Sequence, residues 1–89
     1  MRPVQRYQYV RNLVSQLLEE SPLTSEEVIV DVRHLMSVGE EELAFDTMCS
    51  WIYEDSLPIA SAYYKRLVSA AQELGTPKST DKLDELIED

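Results

Sequence analysis

Cysteine occurs once in this chain of 89 residues, at Cys49, so no disulfide can close within it. A small domain without such staples depends on its core, and a reducing, cytoplasmic compartment is expected. Glycine occurs only at Gly39 and Gly75, which leaves no glycine-rich loop to cradle a phosphate. Histidine occurs once, at His34, and no Cys/His cluster gives a metal-ligand spacing. No run approaches the roughly 18 apolar residues of a membrane span, and no apolar stretch near the start resembles a signal peptide. Basic residues are also scarce, 8 against 17 acids, for a formal net charge of −9. That balance repels nucleic-acid phosphates and anionic membranes, so neither is expected as a partner; it attracts basic protein surfaces.

What is present suits one small domain over residues 1–89, with an ordinary apolar share of 44%. The charge is uneven: residues 1–18 carry +3, residues 19–55 carry −10, residues 56–78 carry +2 and residues 79–89 carry −4. Apolar residues recur at steps of three and four almost throughout. Val4, Tyr7, Val10, Leu13 or Val14, Leu17 and Leu18 mark a first helix, ending near Glu20 because Pro22 disfavours helix at Ser21. Thr24 or Ser25 can cap a second helix, with Thr24 and Glu27 in capping-box spacing and Val28, Ile29, Val32, Leu35 and Met36 as its stripe. The β-branched run Val28-Ile29-Val30 is the one place where a strand competes. Glu40-Glu41-Glu42 opens a third helix with Leu43, Ala44, Thr47, Met48, Trp51 and Ile52 as the expected buried face. After Leu57-Pro58-Ile59 comes a fourth, striped by Ala60, Tyr63, Tyr64, Leu67, Val68, Ala71 and Leu74 and stopped at Gly75. A short fifth is expected from about Thr80, with Leu83, Leu86 and Ile87 as its apolar side. The expected fold is all-α: a compact antiparallel bundle of four main helices with a short C-terminal helix.

Few residues invite chemistry. Asp55-Ser56-Leu57 matches the tripeptide whose serine carries the phosphopantetheine arm in acyl carrier proteins. A carrier serine opens a helix after a long loop, whereas Ser56 follows the third stripe closely and precedes Pro58, as a turn residue would. Cys49 and His34 could form a dyad only if their helices exposed both, and a buried structural thiol is the simpler expectation. Carboxylates at helix starts are ordinarily solvated, so no enzyme activity and no cofactor, metal or small-molecule ligand is expected.

Phe45 and Tyr53 fall off the expected stripe of the third helix, beside Asp46 and Glu54. They are either anchors of a protein-binding face or packed beneath a terminal helix. The stretch 39–75, GEEELAFDTMCSWIYEDSLPIASAYYKRLVSAAQELG, carries Gly39-Glu40, Ala44-Phe45-Asp46, Trp51-Ile52-Tyr53-Glu54, Pro58-Ile59, Tyr64 with Leu67, and Leu74-Gly75. This ordered set resembles the MafI-like small helical immunity proteins of bacterial polymorphic-toxin systems, and those of contact-dependent growth inhibition. Where the family often has Ser or Thr after Pro-Ile, this chain has Ala60. The resemblance implies a cytoplasmic, non-catalytic inhibitor that binds one cognate toxin domain, commonly a nuclease such as an RNase, in a 1:1 complex. A small acidic adaptor with another basic partner remains the alternative reading. In either case the expected interface comprises Glu27 and Asp31 on the second helix, with Glu41, Glu42, Phe45, Asp46, Tyr53, Glu54 and Asp55 on the third. These carboxylates would converge on one surface, with Arg2, Arg6 and Arg11 away from it.

Overall fold

The computed structural model describes residues 3–89, in the order α1 (Pro3–Glu19), α2 (Glu26–Ser37), α3 (Glu41–Glu54) and α4 (Ser61–Leu74), then two 3₁₀ turns, Pro77–Thr80 and Leu83–Leu86. No β-strand occurs among the described residues, and the radius of gyration is 12.4 Å. That is close to the ~12 Å of a compact chain this long. No described helix is long and apolar enough to cross a membrane.

Each helix start and stop has a local cause. The chain leaves α1 at Ser21, whose hydroxyl donates to the Leu18 carbonyl at 2.7 Å. Of the two candidate hydroxyls, Ser25 is the cap of α2, accepting from the Val28 N–H at 3.4 Å from an extended backbone. The strand alternative for Val28-Ile29-Val30 therefore loses to the cap and to the i, i+4 burial of Val28, Val32 and Met36. The ends of α2, α3 and α4 share one device, a left-handed residue that turns the chain back onto the last carbonyls. Gly39 does this for α2, with Glu40 N–H donating to Leu35 O at 2.8 Å. Gly75 does it for α4, with Thr76 N–H on Ala71 O at 2.8 Å. For α3 the residue is Ser56, at φ +50°, with Leu57 N–H on Ile52 O at 3.0 Å.

The core is built from Val14 and Leu17 of α1, Val32 of α2, Phe45, Met48 and Ile52 of α3, Leu67 of α4 and Leu83 of the second 3₁₀ turn. α2 packs along α3, and α1 touches all three other helices. The first two turns of α1 stand clear of this core, with Val4 70% and Tyr7 44% exposed. Tyr63 of α4 donates its hydroxyl to Leu17 O at 2.6 Å, Arg6–Glu73 (2.6 Å) also links α1 to α4, and Arg66 of α4 pairs with Glu20 just past α1 (2.7 Å).

One expectation is refined and one corrected. The short helix expected after Gly75 is present as two 3₁₀ turns, Pro77–Thr80 and Leu83–Leu86. Their chain is drawn back to the α3–α4 connection, where Ile59 and Ile87 form a parallel bridge, Ile59 N–H donating to Leu86 O and Glu88 N–H to Ile59 O. The buried face of α3 is Glu41, Ala44, Phe45, Met48, Cys49 and Ile52, turned roughly 80° from the expected one at ~100° per residue. The 3₁₀ turns lie against the Cys49 side of α3 and bury it, which leaves Leu43 and Trp51 outside.

Candidate protein-binding face

Rotation of α3 exchanges the roles of its aromatic residues. Phe45, the expected surface anchor, is fully buried and so touches no partner; it packs in the core, the other reading of its position. Trp51, expected inside, is 43% exposed, and Leu43 is 49% exposed. Thr47 lies between them at i, i+4 spacing, so the three share one outward side of the helix. Asp46 stands three residues beyond Leu43, and Glu54 and Asp55 stand three and four beyond Trp51, all exposed. The result is an apolar ridge with carboxylates beside it. Its signal in the sequence is the equal helical fit of Leu43/Thr47/Trp51 and Glu41/Phe45/Met48/Ile52, which only the neighbouring elements can decide.

Asp46, Tyr53 and Glu54 meet at a depression of about 270 Å³. Its other lining is Lys78, Ser79, Asp81, Lys82 and Leu83, from the 3₁₀ turns and the link between them, so α2 contributes nothing to it. Neither Glu27 nor Asp31 lines this depression. Both lie exposed on α2, one turn apart. Asp46 accepts the Ser79 hydroxyl at 2.8 Å, and Lys82 Nζ sits 5.6 Å from the centre of the half-buried Tyr53 ring. Lys78 and Lys82 share this lining with Asp46, Glu54 and Asp81, for a formal −1.

A second depression lies at the start of α3. Glu40, Glu41, Glu42 and Glu73 line its volume of about 530 Å³ together with Arg6, Tyr7, Val10, Gly39 and Leu74. Glu41 is only 7% exposed, which removes it from a flat contact surface. Arg6, expected away from the interface, lines this depression and is held by Glu73. Arg11 donates to the Tyr7 hydroxyl at 3.4 Å. Arg2 lies outside the described residues.

The groups weighed for covalent chemistry sit as follows. Cys49 is buried, and burial, then the charge of Asp46, pushes its thiol up to about 12. His34 is exposed on α2. Ser56 is exposed in the turn closing α3, five residues ahead of α4, whose cap is Ala60. In place of a capping hydroxyl, Asp89 accepts the Ser61 N–H at 2.9 Å. That bond holds the Asp89 carboxyl below its ordinary range. Set against models of protein families, curated proteins and solved structures, the chain matches none.

Proposed function

We propose that this protein is a cytoplasmic immunity protein of the MafI-like kind, which neutralises one cognate toxin domain by binding it 1:1. The toxin in this reading is a nuclease, specifically an RNase, whose active site is basic because it must hold phosphates. The acidic helical surface takes the place of those phosphates and occludes the site. The observation that carries the reading is the exposed Trp51–Leu43 ridge of α3 among Asp46, Glu54 and Asp55. Trp is the residue type most enriched at binding hot spots, and flanking carboxylates steer a basic partner onto it. The bundle is taken as antiparallel. Arg6 near the start of α1 pairs with Glu73 at the end of α4, and Glu20 beyond the end of α1 pairs with Arg66 near the start of α4, which supports that arrangement.

The test is co-expression with the toxin domain encoded beside this protein. Expected are restored growth, a 1:1 complex by light scattering and loss of toxin activity in the purified complex. Cells that die despite soluble, folded protein would refute the proposal. Tight binding to a basic protein that harms no cell would favour the adaptor reading instead.

A further inference from the structure

The depression of about 530 Å³ at the start of α3 is lined by Glu41, whose carboxylate has an acceptor without a donor. Glu41 Oε1 is buried and has no hydrogen-bond partner among the described residues. Around it the lining carries four glutamates against one arginine, a net −3. That arginine is already engaged: Arg6 Nη1 meets Glu73 Oε2 and Arg6 Nη2 meets the Glu73 carbonyl, both at 2.6 Å. Tyr7, Val10 and Leu74 add apolar surface, and the Tyr7 hydroxyl lies 4.0 Å from where a Cβ on Gly39 would stand. A metal ion does not suit the site, because no group of three or more His, Cys, Asp or Glu among the described residues is placed to hold one.

We propose that this depression receives an arginine side chain of a basic partner protein, with the buried Glu41 carboxylate as its acceptor. A guanidinium brings five N–H donors in a planar fork that matches carboxylate oxygens. It is also more weakly hydrated than an ammonium, and so enters a part-buried site more readily. Its methylene stem lies along Val10 and Leu74, as long cationic side chains do on apolar surface. The Tyr7 ring offers a face for the cation. Glu41 opens α3, and a helix start favours negative charge by its dipole.

The physiological occupant rests on the basic-partner reading above; the binding chemistry does not. The probe is acetyl-Gly-Arg-Gly-amide, titrated into the ¹⁵N-labelled protein, with the citrulline peptide as its uncharged twin. Expected are amide shifts confined to Tyr7, Val10, Gly39–Glu42 and Leu74, and binding of the citrulline twin at least about 10-fold weaker. Glu41→Gln, nearly isosteric, should weaken the arginine peptide about 10-fold, while the paired change Asp84→Asn with Glu85→Gln leaves it unchanged. If Glu41→Gln proves unfolded by its melting curve, the exposed Glu42→Gln decides instead, with an expected loss of about threefold. No binding, equal binding of both peptides, shifts spread over every acidic surface, or indifference to these substitutions would overturn the proposal. An empty pocket in a protein that still protects cells removes this site alone. A pocket that binds arginine in a protein that fails to protect removes the immunity reading alone.

Discussion

Ser56 occupies a backbone conformation that Gly39 and Gly75 fill at the two equivalent helix ends, and it does so with a Cβ. The left-handed region costs an ordinary residue roughly 1–2 kcal/mol. Ser56→Gly should therefore raise unfolding stability by about 1 kcal/mol in a urea titration; a loss would show that the hydroxyl matters more than the strain. Cys49 gives a second expectation. Its neutral form is favoured in the fold, so its contribution to stability is full below the unfolded thiol value of about 8.5. It is lost as pH rises from there toward about 12. At pH 8 a thiol reagent should label the native protein at least about 1,000-fold more slowly than the urea-unfolded chain, because labelling waits for opening. Labelling at the unfolded rate would contradict the burial. Phe45 and Trp51 separate in the same way. Phe45→Ala should cost about 3–5 kcal/mol and threaten the fold. Trp51→Ala, at an exposed position, should change stability by roughly 0.5 kcal/mol or less.

At the scale of elements, α4 depends on a residue 28 positions away in sequence, since its cap Ala60 offers no side-chain bond and Asp89 accepts from Ser61. The folded carboxyl of Asp89 ionises more readily than the unfolded one, because the Ser61 N–H favours its charged form. Its stabilisation is thus present above the unfolded value of about 3.9 and is lost as pH falls through the lower folded value. Asp89→Ala should lower the melting temperature at pH 7, and the gap to the parent should close below about pH 4. A gap that persists in acid would mean the carboxylate is not the cap. The four helices were legible because caps, prolines, glycines and apolar steps agreed at each boundary, as at Ser25, Pro22 and Gly39. A short helix carrying Leu83 and Leu86 was legible too, but its 3₁₀ form was not, because the pull of Ile59 on Leu86 and Glu88 is a long-range pairing with no local signature. The same gap hid the exposed ridge of α3. On α3, apolar residues fill more than one stripe, so burial of Phe45 over Trp51 was decided by turns packed from 30 residues further along.

For the whole molecule, the proposed capture of a basic partner would work through either net charge or a particular face. Two double substitutions separate these, since Glu54→Lys with Asp55→Lys and Glu85→Lys with Glu88→Lys each move the formal charge from −9 to −5. All four side chains are exposed. Asp46 is the poorer choice because its carboxylate holds Ser79, so reversing it would loosen the 3₁₀ turn as well as change the field. Glu54 and Asp55 lie at the C-terminal end of α3, where a lysine suits the helix dipole better than a carboxylate, so helicity should be kept or improved. If the Trp51 face is the dock, the α3 pair should slow association with the cognate toxin domain by about 10-fold at low ionic strength, with little change in dissociation. The effect should shrink toward about 1 M salt, where the Debye length falls to roughly 3 Å. The Glu85/Glu88 pair should slow association less than about threefold. Trp51→Ala should act on the other rate, speeding dissociation about 30-fold or more at any salt, because a desolvated anchor rather than a long-range charge is lost. Stopped-flow association rates with the four proteins at two salt concentrations decide the matter. Equal slowing by both charge pairs would assign capture to net charge, and a Trp51→Ala complex with unaltered lifetime would move the dock away from α3.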